Sequence, residues 1–238
     1  MDPSITAAGA KSLTIQAFEL LRADILLGRL RPAERLRIQA LSERYDIGTT
    51  AIREALSRLV TDGLVESENP RGFCVAPVSR DDLVDLTRIR VEVECIALRG
   101  AIEHGGIEWE SGLLSAFHRL SRTLPPTTSD LHTPWVAVHQ QFHDALVAGC
   151  NSAWNMRLCR LLYDQSERYR NLAEQHVSQQ NREPVKEHRE LMDAAMSRDA
   201  AEATRLLAEH LWTTTEIILS AIPMDGADIP SERKGRST

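Results

Sequence analysis

Between residues 38 and 59 apolar positions recur at spacings of three and four, in two blocks separated by a break. In the first block Ile38, Leu41 and Tyr45 share a face while Gln39, Glu43 and Arg44 stay off it, which predicts a short amphipathic helix. Asp46 to Thr50 interrupt the period, and Thr49 or Thr50 can cap the helix that follows. In that second helix Ile52, Ala55, Leu56 and Leu59 form the apolar stripe, with Arg53, Ser57 and Arg58 outside it. Leu64 to Ser67 and Phe73 to Val75 then read as two short strands around the turn-forming run Asn69-Pro70-Arg71-Gly72. Helix, tight turn, helix and two-stranded wing is a device for reading duplex DNA, with polar residues near the start of the second helix reaching base edges and phosphates.

After Pro77-Val78-Ser79 the helical period continues almost to the C-terminus. It predicts helices over Asp81 to His104, Glu108 to Arg122, Leu131 to Gly149, Ser152 to about Gln175, Glu183 to Ser197 and Ala200 to Ala221. Asp199 and Glu202 have the spacing of a capping box before the last of these. The predicted fold class is mainly α, an N-terminal winged helix-turn-helix with a small β wing followed by an all-α antiparallel bundle. The expected divisions are a flexible tail at 1–10, the winged helix at 11–78, the bundle at 79–222 and a disordered tail at 223–238.

Hydrophobic content of 42% and charged content of 26% are ordinary for a water-soluble globular protein. No apolar run is long enough to span a bilayer and the N-terminus lacks a signal-peptide pattern, so a cytoplasmic location without membrane partners is expected. Cys74, Cys95, Cys150 and Cys159 are scattered, which argues against a disulfide framework or a thiolate zinc site and for buried, reduced thiols. The formal net charge of -6 would oppose DNA binding if it were uniform. It is not: residues 29–58 hold seven Arg against four acids, and the acidic excess lies entirely after residue 78.

His139 and His143, four apart on one helix, project from the same face and can share a metal with histidines from later helices, His188 and His210. From spacing alone a His pair four apart is more often a hydrogen-bonded or exposed helix pair than a metal site. Arg90 and Glu94, also four apart, read as an ion pair within a helix. Trp135, Trp154 and Trp212 read as core or cavity-wall residues. His139-Gln140-Gln141-Phe142-His143 has the outline of a zincin motif, but Gln140 stands where the general base must be, so a metal-dependent hydrolase is the disfavoured alternative.

The segment around Ile52-Arg53-Glu54-Ala55-Leu56, Arg58-Leu59, Asp62-Gly63-Leu64-Val65 and Gly72 resembles the winged helix of the GntR family of bacterial transcriptional regulators. Ala33 replaces the family's usual Gly, and Gly48-Thr49-Thr50-Ala51 replaces a run that is typically Ser-Arg-Thr-Pro. The resemblance implies DNA contacts from Arg53, Thr50, Arg71 and Gly72, with Thr49 and Gln39 as departures from the usual residues. It also implies a homodimer on a palindromic operator, most often acting as a repressor.

Phe142-His143, Gly149-Cys150-Asn151, Glu187-His188-Arg189 and Glu209-His210-Leu211 resemble the FCD ligand-sensing domain of the FadR-like branch of that family. In metal-binding members a carboxylate and three histidines hold a divalent ion. Here His139 occupies the carboxylate's position, so the implied ligands are His139, His143, His188 and His210, or the last three with His139 turned away. Imidazole ligation suits Zn²⁺ first, with Ni²⁺ or Cu²⁺ also accepted. Arg90 matches an arginine such domains point into the cavity, which implies a small organic acid as effector, gripped by its guanidinium. A regulator without an effector is the remaining alternative.

Overall fold

Ile52, Ala55, Leu56 and Leu59 lose all contact with solvent on one side of α3 (Thr49–Thr61), and the N-terminal unit is assembled around that stripe. The computed structural model describes residues 3–68, 72–124, 134–174 and 183–221. α1 (Pro3–Leu26) contributes Ala17, Leu21 and Ile25 to this core, and α2 (Ile38–Tyr45) contributes Leu41. Helical backbone begins at Pro3, within the stretch read from the sequence as a tail. Neither Thr49 nor Thr50 caps α3. The N-cap is Gly48, which has no side-chain acceptor, and both threonines are already inside the first turn.

The wing is larger than the expected two strands. β1 (Arg35–Leu36), β2 (Val65–Glu68) and β3 (Gly72–Val75) form an antiparallel sheet in the order β1-β3-β2, with Arg35 opposite Cys74 and Val65 opposite Val75. β1 is too short to show alternation, and it was missed for that reason. Ala33, which leads into it, takes φ 61°, the left-handed region that glycine enters without a Cβ penalty. Gly72 has φ 104°, so the residue type at the start of β3 is set by backbone geometry as well as by any DNA contact.

The second unit comprises α4 (Arg80–His104), α5 (Ile107–Arg122), α6 (Pro134–Val147), α7 (Ala153–Glu174), α8 (Pro184–Met196) and α9 (Ala200–Ala221). A 3-10 turn over Ala148–Cys150 follows α6, where a longer α-helix was expected. Ser79 caps α4 by accepting from the amide of Asp82 at 3.1 Å. Only half of the capping box at α9 forms: Asp199 accepts from the Glu202 amide at 3.0 Å, while the Glu202 carboxylate turns to Arg205. α4 packs against α6, α7 and α9, so its buried residues face the interior from several sides. Leu98, Leu113, Leu120, Phe142, Leu191 and Leu207 make the centre of this core.

Trp135 is buried as expected, but Trp154 is 69% exposed. It continues on α7 with the exposed Leu158 and Leu161, an apolar stripe on a helix that lies beside α4 and its exposed Ile89 and Ile96. All four cysteines are buried free thiols, and burial pushes Cys95 up to about 11 and Cys159 up to about 12. Among the described residues no helix is long and apolar enough to cross a membrane. Arg71 and residues 125–133 and 223–238 lie outside the described residues.

Candidate metal centre and nucleic-acid interface

His139 and His143 lie one turn apart on α6, and α8 and α9 bring His188 and His210 to the same point. One ligand atom from each of the four rings can be chosen so that all lie within 4.8 Å of one another, and all four residues are buried. Ring centroids are 4.6 Å apart for His139 and His143 and 4.6 Å for His188 and His210. Trp135 stacks beside His139 and meets His188 edge-on, closing one side of the cluster with an apolar wall.

The outer nitrogens fix two of the rings. Nδ1 of His188 donates to the Pro184 carbonyl at 2.5 Å, and Nδ1 of His210 lies 3.0 Å from a carboxylate oxygen of Glu187. Since a carbonyl and a carboxylate only accept, both rings carry their proton on Nδ1 and present a bare Nε2 for a cation. His139 differs. Its Nδ1 lies 3.2 Å from the Tyr163 hydroxyl and 3.1 Å from Nη1 of Arg170.

Among the described residues Nδ1 of the buried His143 has no hydrogen-bond partner. An unsatisfied buried nitrogen amid three other imidazoles is costly, and a cation at the centre would satisfy it. The donor set therefore fits one divalent ion of nitrogen-preferring type.

Burial is the first cause holding His139 and His143 well below the ordinary histidine pKa. Arg170 adds to the shift at His139, and the neighbouring histidines add at both. Both are neutral at pH 7, the state a ligand needs. The unfolded chain gains protons on these residues below pH 6.5, whereas the folded chain gains them only at much lower pH. This contribution to stability is thus complete above about pH 6.5 and declines as the pH falls through and below that value. Chelator-stripped protein is expected to melt at progressively lower temperature between about pH 7 and pH 5. A melting temperature unchanged over that range would contradict the buried, neutral assignment.

Next to the cluster is a polar layer of which the sequence revealed only the Arg90–Glu94 pair. Arg90 and Glu94 are 4% and 5% exposed and joined by a 2.8 Å ion pair. Arg90 also donates to Ser166 at 2.7 Å, and its guanidinium stands over the Tyr163 ring. Glu167 is buried beside Arg170, 3.5 Å from its Nη1, and its carboxylate lies close to the Tyr163 hydroxyl. Arg90, which the resemblance implied would grip an effector, is buried and committed to Glu94 and Ser166. Arg170 is the guanidinium in contact with a histidine of the cluster.

In the N-terminal unit Gln39, Thr49, Thr50, Arg53 and Gly72 are all exposed. Thr49, Thr50 and Arg53 occupy the first turns of α3, as a major-groove helix requires. Two exposed arginines of the basic patch are engaged by the buried Asp24, which binds Arg29 at 3.0 Å and Arg44 at 2.7 Å, with the Tyr45 hydroxyl also donating to it.

The family profile described as "Bacterial regulatory proteins, gntR family" matches residues 13–75, and the profile described as "FCD domain" matches residues 85–213. The chain belongs to the GntR family. It is a transcriptional regulator with a winged helix and an FCD ligand-binding domain.

The HTH-type transcriptional regulator BphR of Paraburkholderia xenovorans is 40% identical over 217 residues, covering 90% of this chain and 88% of that protein. The HTH-type transcriptional repressor GlaR of Escherichia coli is 34% identical over 213 residues, covering 88% of this chain and 97% of the repressor. Among solved structures, McbR/YncC of Escherichia coli has a TM-score of 0.73 at 22% identity, over 87% of this chain and 97% of that one, a likeness of fold.

Proposed function

We propose that this GntR-family regulator is a metal-containing repressor, bound to a palindromic operator as a homodimer and released by a small organic acid. The four buried histidines converging within 4.8 Å are the observation that carries the reading. Neutral imidazoles leave the ion its full positive charge, so an open coordination position favours an anionic ligand. Arg90 and Arg170 add two guanidiniums beside it, in a buried setting where charge-assisted hydrogen bonds are strong. The repressor sense is supported by the name of GlaR. A two-fold assembly is supported by the apolar stripe of Ile89, Ile96, Trp154, Leu158 and Leu161 on two adjacent helices.

A thermal-shift series of organic acids, sugar acids, aromatic acids and neutral sugars on zinc-loaded protein tests the effector class. An acid that binds is expected to stabilise the protein by about 2.7 kcal/mol at a hundredfold excess over its dissociation constant, and to lower operator affinity. Stabilisation by neutral compounds alone would contradict the carboxylate assignment.

DNA recognition is tested separately by Arg53→Ala. Loss of about 1–3 kcal/mol in operator binding is expected if Arg53 reads a base, and a sequence-independent loss with a shallower salt slope if it meets a phosphate. Fluorescence anisotropy at two salt concentrations separates the two. Unchanged binding would remove α3 from the interface.

A further inference from the structure

We propose that α7 senses occupancy of the histidine cluster and transmits it to the winged helix, with Arg170 as the sensing residue. The proposal rests on the reading of the cluster as a metal site. Over residues 163–171 α7 has two polar faces. Tyr163, Ser166, Glu167 and Arg170 recur at helical spacing and form the face toward the site: Tyr163 and Arg170 meet His139, and Ser166 meets Arg90.

Asp164, Gln165, Arg168 and Asn171 form the other face, and each holds the N-terminal unit. Asp164 pairs with Arg22 at 2.5 Å, and Gln165 donates to the Asp62 carbonyl at 2.6 Å. Arg168 donates to the Ala76 carbonyl at 2.5 Å, and Asn171 donates to the Leu26 carbonyl at 2.7 Å. Leu26 ends α1, Asp62 caps the end of α3 and Ala76 follows β3, so α7 grips the main chain at the ends of three winged-helix elements. Tyr169 ties the same stretch to the linker, donating to Asp82 and accepting from the Ser79 amide at 3.2 Å. A rigid helix bound on both sides cannot respond to one without loading the other.

Hydrogen-bond logic at His139 supplies the change of state. A guanidinium only donates, so Nδ1 of His139 accepts from Arg170 and the ring proton sits on Nε2. An ion bound through Nε2 requires that proton to leave and another to be taken up on Nδ1, where N–H then faces N–H. An ion bound through Nδ1 uses the lone pair itself. In either case Arg170 loses this acceptor, whereas the Tyr163 hydroxyl can rotate to accept from a protonated Nδ1. Ligation by His139 and its hydrogen bond from Arg170 therefore exclude one another. Displacement of Arg170 acts on the helix turn whose opposite face carries Arg168 and Asn171.

Hydrogen exchange read by mass spectrometry on the full chain, stripped with chelator and then loaded with Zn²⁺ alone, tests this. Zinc is expected to change exchange about threefold or more at amides in 164–172 and in 24–30, 60–66 and 74–79, none of which carries a histidine of the cluster. In Gln165→Ala/Asn171→Ala the protein should still take up one zinc and respond in 164–172, while the winged-helix segments no longer respond. Either single substitution serves if the pair weakens the fold. Uptake of one zinc with changes confined to α4, α6, α8 and α9 would overturn the proposal, and would mean that His143, His188 and His210 bind without His139. Failure to take up zinc is seen in the metal content itself; it sinks the metal reading, and the proposal with it.

Discussion

His188→Ala is expected to leave the protein unable to retain zinc through dialysis, falling from about one equivalent per chain to below about a tenth, whereas Glu187→Gln should keep the metal at an affinity lowered about ten- to a hundredfold. The two substitutions are adjacent in sequence but act differently. His188 is anchored through Nδ1 to the Pro184 carbonyl, so its Nε2 is aimed before any ion arrives, and its removal deletes a pre-organised ligand. Glu187 is not among the four candidate ligands. It accepts from Nδ1 of His210 and thereby sets that ring's tautomer, which Gln can partly imitate through its amide oxygen. Competition against a chromophoric chelator measures both affinities. Equal losses would mean that ring orientation contributes as much as ligation, and no loss in either would detach this pair of helices from the metal.

The second large effect is expected from Arg90→Ala, which should destabilise the chain by about 3–5 kcal/mol by leaving Glu94 charged and buried without its partner. The pair is dry on both sides, so the cost comes from desolvation of the surviving carboxylate and exceeds the net worth of the ion pair. Ser166 would also lose its donor, adding to the loss. The double substitution Arg90→Ala/Glu94→Ala should therefore recover part of the stability, because it removes the stranded charge at the expense of a cavity. Urea unfolding at neutral pH reads both. A single variant within about 1 kcal/mol of wild type would show that Glu94 escapes to water or protonates without strain. Arg90→Ala is consequently a poor probe of effector binding unless stability is followed in parallel.

The strict three-and-four spacing of apolar residues made the long helices legible, and α4, α5, α8 and α9 begin and end within about a residue of where that pattern placed them. β1 was illegible because two residues cannot display a period, and it exists through pairing with β3. The threonine cap of α3 was misplaced because Gly48, with no side chain to signal a cap, occupies the N-cap instead.

At the cluster, the four histidines were legible from spacing and wording together. Tyr163, Ser166, Glu167 and Arg170 were not, because polar residues on a helix read as a solvated face. They are internal because α7 lies between two units, and the same position explains why Asp164, Gln165, Arg168 and Asn171 are polar as well. A helix polar on several faces without disorder-like composition is the signal that could have located it. Trp154 failed in the opposite direction: its ring continues an exposed apolar stripe, and aromatic character alone does not say whether a residue is covered by its own chain or by a second one.

Elemental analysis of protein purified without an affinity tag or chelator tests the metal-dependent reading most directly. About one equivalent of a single transition metal per chain, zinc first among the candidates, is the expected result. Less than about a tenth of an equivalent, with no uptake when Zn²⁺, Ni²⁺ and Cu²⁺ are titrated in, would contradict it and leave His139, His143, His188 and His210 as a buried network of neutral imidazoles.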